Sequence, residues 1–180
     1  MNRINAEDLT VMMIDEQVKL LPTIKERDAL IKNSKLVLEV SKIFNTPLIV
    51  TEQYPKGLGA TADDFKEYLD GAEVFAKTEF CGCTPPVLES LEKTGRKSVA
   101  IFGVETHVCV YQTVRELINR GYTVYVISDA VYSREETNRK AGLSLMKDFG
   151  AYIITAEILI FDILVKSGSK EFKHFSNLIK

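Results

Sequence analysis

Three residues in this sequence carry types that can act together on a carbonyl compound: Asp15, Lys77 and Cys109. A thiol is a nucleophile once its proton is removed, a carboxylate can take that proton and return it to a leaving group, and an ammonium can steady the thiolate. Cys109 ends the turn Gly103-Val104-Glu105-Thr106-His107-Val108-Cys109, which leads from an apolar run into a helical stretch. With Thr106 as N-cap, Cys109 becomes the third helical residue, where backbone N–H groups and the positive helix end favour thiolate over thiol. The same N–H groups suit the oxyanion of a tetrahedral intermediate. Each residue also has a plainer reading. A free cysteine is often a small buried apolar side chain, Asp15 can be a cap or a solvated loop carboxylate, and Lys77 can be a surface lysine.

Other reactive residues form weaker patterns. His107 lies two positions before Cys109, a helical spacing at which side chains do not face each other, and His174 reads as a surface residue. Cys81-Gly82-Cys83 matches neither a zinc cluster nor the C-x-x-C redox pattern, and lines a pocket after Lys77 or simply packs. Glycines 57 and 59 lack dinucleotide-binding spacing and suggest a mobile loop over the site. No metal or cofactor is expected.

The elements that must position these groups alternate. Apolar runs at Val11–Ile14, Pro47–Thr51, Glu73–Lys77, Ser98–Val104, Tyr122–Ser128 and Ala151–Thr155 read as strands. Between them, Lys25–Phe44, Asp63–Asp70, the stretch from Pro85 to Gly95, Thr106–Arg120 and a segment from a capping box at Ser133-Arg134-Glu135-Glu136 to Phe149 read as helices. This alternation predicts an α/β fold, a parallel six-stranded sheet with helices on both faces, in one domain over residues 1–180. Sites in such sheets form beyond the strand C-termini, the edge to which Asp15, Lys77 and Cys109 belong.

At 180 residues, 46% hydrophobic and 27% charged, the composition is that of an ordinary globular protein. A net charge of -2, with pI near 5.8 and no basic run, argues against nucleic-acid partners and hence against a nuclease. No apolar stretch reaches transmembrane length, and the first ten residues resemble neither a secretory signal nor a transit peptide. Three sparse cysteines point to a reducing compartment. A cytoplasmic protein without membrane partners is expected.

The sequence resembles the isochorismatase-like, or cysteine, hydrolase superfamily over nearly its whole length. Gly103 through Val110 fits the family's G-x-x-T-x-x-C-V turn, and the strand ending in Asp15, the Lys77-Thr78 pair and Ser128-Asp129-Ala130 follow in the family's order. The resemblance implies a three-layer, Rossmann-like fold and an Asp15, Lys77, Cys109 triad. It also implies a cis peptide between Val104 and Glu105, aiming the N–H groups of Glu105 and Cys109 at the substrate oxygen. Its reaction is attack by Cys109, loss of ammonia or an amine, and hydrolysis of a thioester. Where nicotinamidases of the family hold metal ligands, this chain has Gln53 and Pro55; enterobactin-type isochorismatases lack the cysteine. Thr51 through Gly59 and the C-terminal residues instead resemble the isochorismatase domain-containing subgroup, commonly homo-oligomeric. Gln53, Tyr54 and Phe80 are the expected pocket residues for a small-molecule amide or carbamoyl substrate. The competing expectation is a binding or scaffold protein that kept the fold without catalysis.

Overall fold

Apolar strands with two faces to bury need a layer of helices on each side. The structure, a computed structural model, describes residues 3–179. Among the described residues one sheet of six strands forms: β1 (Leu9–Ile14), β2 (Leu48–Gln53), β3 (Glu73–Lys77), β4 (Ser98–Val104), β5 (Thr123–Tyr132) and β6 (Tyr152–Ile154). Their spatial order is β3-β2-β1-β4-β5-β6, and every neighbouring pair is parallel. The helices are α1 (Arg27–Phe44), α2 (Pro55–Leu58), α3 (Pro85–Thr94), α4 (Tyr111–Asn119), α5 (Glu136–Asp148), α6 (Ala156–Leu164) and α7 (Lys170–Ile179). α1, α6 and α7 pack together on one face, while α4 and α5 pack together on the other, as right-handed crossovers require. The three-layer α/β fold expected from the alternation is the fold observed.

Every residue of β1 and β4 is buried, so these two central strands form the floor on which the chemistry-bearing turns stand. The edge strand β3 reverses the usual pattern: Val74 is 44% exposed, whereas Lys77 is buried. None of the described helices is long and apolar enough to cross a membrane.

Several local expectations are corrected. The short helix expected over Asp63–Asp70 is a 3-10 helix that ends at Tyr68. β5 runs on to Tyr132, with an irregularity opposite Ile101 and Gly103 that lets Ser128-Asp129-Ala130 bulge. Asp129 there accepts the Ala156 N–H at 2.8 Å, fixing the start of α6. The capping box at Ser133 does not form: α5 begins at Glu136 without a side-chain cap, because the Ser133 hydroxyl is taken by His107 Nδ1 at 3.0 Å.

Candidate active site at the strand C-termini

The sheet changes direction of winding between β1 and β4, and the crevice beyond that pair is where an open α/β sheet forms a site. Asp15 leaves β1 in a left-handed conformation, with φ of 53°, which turns its side chain back over the strand ends. Gly103 lies beside Ile14 in register, with φ of 120°. A Cβ on Gly103 would sit 2.1 Å from the Ile14 carbonyl oxygen, so only glycine lets β1 and β4 close up here.

Asp15 and Lys77 form an ion pair, Oδ2 to Nζ 2.7 Å, with side chains 0% and 1% exposed. The other carboxylate oxygen accepts the Thr51 hydroxyl at 2.7 Å. Lys77 Nζ also donates to Gln53 Oε1 at 2.7 Å and to the carbonyls of Glu79 and Phe80 at 3.2 and 3.4 Å. A buried ammonium with this many acceptors is satisfied and fixed, which rules out the solvated-lysine reading.

Cys109 is 7% exposed and faces this pair. Burial, and then the Asp15 carboxylate, push its thiol up to about 12, with Lys77 and the Glu105 backbone pulling the other way. Burial and Asp15 thus favour the thiol over the thiolate, the direction opposite to that of a helix end taken alone. The helix end itself differs too. Thr106–Val110 is a π-helical turn that precedes α4, and Glu105, not Thr106, stands at the cap position. The Glu105 carbonyl accepts from Val108 and Val110 at 3.1 and 3.2 Å. Thr106 Oγ1 is buried inside the turn without a partner among the described residues. The Val104–Glu105 peptide is cis. Partial burial alone would raise the Glu105 carboxyl, but Arg134, gripping it through Nε at 2.8 Å and Nη2 at 3.3 Å, outweighs that and holds it low.

The three expected pocket residues divide. Gln53 is a support, accepting from Lys77 and donating to the Thr78 carbonyl at 2.8 Å. Its amide is thus engaged, and Pro55 has no donor side chain, so these two positions do not fit the metal of nicotinamidases. Tyr54 and Phe80 are 54% and 55% exposed. Tyr54 lines a cleft of about 380 Å³ that also touches Lys77. Larger hollows of about 470 and 490 Å³ lie elsewhere and contain none of these groups. The expected mobile loop is tied down: Lys19 Nζ donates to the Gly57 carbonyl at 2.7 Å and Gln17 Nε2 to that of Gly59 at 2.6 Å. Gly57 is there because a Cβ would lie 2.3 Å from the Tyr54 ring. His107 bonds Ser133, and His174 pairs with Glu39 at 2.8 Å rather than standing free. Cys81 and Cys83 lie half-buried against the first turn of α4, Sγ 3.6 Å from the Gln112 carbonyl and 3.8 Å from that of Thr113.

Sequence reasoning missed Thr51 and Glu16. Thr51 ends the apolar run of β2 beside β1, so its polarity at a strand C-terminus was a usable signal. Glu16 is wholly buried; desolvation raises its carboxyl to about 8, against a 2.7 Å hydrogen bond from Ser34. Nothing local marks that environment, since Ser34 reaches it from α1.

Comparison with known proteins fits this geometry. The isochorismatase domain model matches residues 10–158. Isochorismatase family protein 1B of Dictyostelium discoideum is 35% identical, the match covering 100% of this chain and 90% of that protein. Isochorismatase domain-containing protein 1 of Danio rerio is 38% identical across 92% of this chain, which spans only 59% of that longer protein. Among solved structures, the MAR1 ribonuclease of Caenorhabditis elegans superposes with a TM-score of 0.93 at 38% identity, covering 99% of this chain and 92% of that one. From its sheet order to the turn that carries Cys109, the chain belongs to the isochorismatase family of hydrolase-fold proteins.

Proposed function

We propose that the protein is a metal-independent cysteine hydrolase that cleaves a C–N bond in a small amide or carbamoyl compound. The observation that carries this reading is the buried Asp15–Lys77 pair, at 2.7 Å, set beside the Cys109 thiol. As Cys109 Sγ bonds to the substrate carbonyl carbon, its proton passes to Asp15 and the carbonyl oxygen gains the negative charge. As Asp15 is neutralised, the Lys77 cation stays in place and offsets the negative charge that has passed to the substrate oxygen, so the net local charge does not change during the transfer. The N–H groups of Glu105 and Cys109 receive the oxyanion. Collapse breaks the C–N bond, Asp15 returns the proton to the departing amine, and a thioester remains on Cys109. Water then attacks the thioester with Asp15 again as base, releasing the acid and restoring the thiol. Tyr54 and Phe80 form the rim by which substrate enters, with Gln53 and Thr51 holding Lys77 and Asp15 in place. Away from the site, the exposed Phe161 and Val165, which share a hollow with Leu164 and Phe172, support a homo-oligomer, to be read by light scattering.

The test is a panel of primary amides, ureas and carbamates scored for ammonia or amine release, with wild type, Cys109→Ala, Asp15→Asn and Lys77→Met. Each substitution is expected to lower turnover by at least about 10²-fold, and intact-mass spectrometry of wild type is expected to catch the acyl adduct. Turnover retained by Cys109→Ala overturns the covalent mechanism. The name of the C. elegans structure supports a second reading, ribonuclease activity. Phosphodiester cleavage can use a base and an acid without a covalent sulfur, so an RNA substrate cleaved equally by wild type and Cys109→Ala favours that reading.

A further inference from the structure

The segment from Glu79 to Cys83 touches both halves of the site. Its carbonyls at Glu79 and Phe80 accept from Lys77 Nζ. Two residues on, the Gly82 N–H donates to Thr113 Oγ1 at 2.7 Å, and that hydroxyl donates to the carbonyl of Cys109 at 2.6 Å. A Cβ on Gly82 would come within 3.1 Å of Thr113 Oγ1 and 3.2 Å of the Met12 side chain, so the loop presses directly on the floor of the site. Cys81 and Cys83 flank this contact. The Cys81 side chain folds back on its neighbour, its sulfur receiving the Cys83 N–H at 3.4 Å, and both cysteines are only half-buried.

We propose that Cys81 and Cys83 are a hydroperoxide-sensitive dithiol, whose oxidation to a disulfide within the loop resets the hydrogen bonds that hold Lys77 and the Cys109 turn. Cys81 sulfur attacks one peroxide oxygen; an S–O bond forms as the O–O bond breaks, and the departing oxygen takes up a proton and leaves as water. Cys83 sulfur then attacks the sulfenic acid, an S–S bond forms, and the hydroxyl leaves as a second water with the Cys83 proton. The two thiols lose two electrons and two protons, and one hydroperoxide is reduced. Cys81 is suited to the first step. The neighbouring Cys83, through its side chain and through the N–H that reaches the Cys81 sulfur at 3.4 Å, draws that thiol below its usual range against the effect of burial. Of the two thiols it is therefore the one more readily deprotonated, and it meets the peroxide first. The buried Cys109 thiol, held up to about 12, is spared.

The coupling to Cys109 rests on the hydrolase reading, whereas formation of the disulfide does not, and the two are read separately. Reduced protein is treated with hydrogen peroxide at pH 7, residual thiols are alkylated, and peptides are mapped. The tryptic peptide from Thr78 to Lys93 holds both cysteines. It is expected to lose two hydrogens while Cys109 stays alkylatable. Cys83→Ser is expected to stop at a sulfenic acid that dimedone traps, and Cys81→Ser to consume peroxide more slowly than wild type. Oxidation of Cys109 ahead of the pair, a Cys81–Cys109 cross-link, or Cys81→Ser reacting as fast as wild type overturns the dithiol. The second readout is the alkylation rate of Cys109 in the oxidised protein, expected to change about fivefold, the worth of one neutral hydrogen bond, and to recover with dithiothreitol. An unchanged rate overturns the coupling even where the disulfide forms.

Discussion

Asp15→Asn separates two effects that the site combines. Asparagine keeps the shape of the side chain and removes its charge. The Cys109 thiol is held up to about 12 first by burial and then by that charge, with Lys77 opposing. A unit charge about 4 Å away, at an effective dielectric constant near 20, is worth about 4 kcal/mol. Removing it while Lys77 stays raises the ionisation constant of the thiol about a thousandfold. At pH 8 the thiolate population rises by about the same factor, and its lower basicity takes back about twentyfold in reactivity, leaving alkylation of Cys109 about fiftyfold faster. Turnover moves the opposite way. With no carboxylate to take the thiol proton and hand it to the amine, it falls by about 10²- to 10⁴-fold. The substitution also strands a buried ammonium, costing about 3–5 kcal/mol, although Gln53 and the Glu79 and Phe80 carbonyls still accept from it. The assay is pulsed alkylation with chloroacetamide from pH 6 to 9, read at Cys109 by mass spectrometry, with circular dichroism and a urea titration to fix the folded fraction. If folded Asp15→Asn protein alkylates no faster than wild type, the electrostatic account of the resting thiol is wrong.

Three further substitutions test the supports of the site. Desolvation raises the Glu16 carboxyl from 4.5 to about 8, so between those pH values the native protein holds a proton that the unfolded chain has released. The contribution to stability is complete below pH 4.5 and is lost as pH rises through about 8, at up to about 1.4 kcal/mol per pH unit; Glu16→Gln should flatten that slope in urea titrations, and identical slopes would contradict the assignment. Thr51→Val removes the hydroxyl that donates to Asp15 at 2.7 Å; it should cost about 2 kcal/mol of stability and lower turnover without abolishing it, and a neutral result would show that the hydroxyl does not fix the carboxylate. Gly103→Ala places a Cβ 2.1 Å from the Ile14 carbonyl oxygen and should destabilise by about 4 kcal/mol or more, seen as a collapsed urea midpoint or loss of soluble protein; a wild-type midpoint would mean that β1 and β4 are not packed this closely.

Two of the three candidate residues were legible because each ends an apolar run. Asp15 stops a strand and Lys77 closes another. Alternation implied a parallel sheet, and a parallel sheet puts those ends on one edge, whereas the strand order came only with the structure. Local details failed where a tertiary partner outbid a local one. Ser133 had the spacing of a cap, but His107 lies across the turn and holds its hydroxyl. Thr106 had the chemistry of a cap, but the chain widens there into a π-helical turn and buries it. The paired glycines at 57 and 59 looked like flexibility, whereas Gly57 makes room for the ring of Tyr54.

For the protonation of Cys109, charge counting weighs against the helix-end argument. A helix-end argument considers the sulfur and the backbone dipoles alone. In the folded protein the thiol shares its enclosure with one carboxylate and one ammonium, both essentially unexposed. A resting thiolate would place two anions against one cation among side chains shut off from bulk solvent, while a resting thiol leaves the charges balanced. Arg134, which reaches the turn through Glu105, adds no second cation, because that carboxylate engages it. Moving the proton from sulfur to Asp15 preserves the balance, so attack and proton transfer are free to occur together, with Lys77 fixed between them. In the proposed hydrolase the buried lysine is therefore the element on which the proton transfer turns, and β3 buries it at the cost of leaving Val74 exposed.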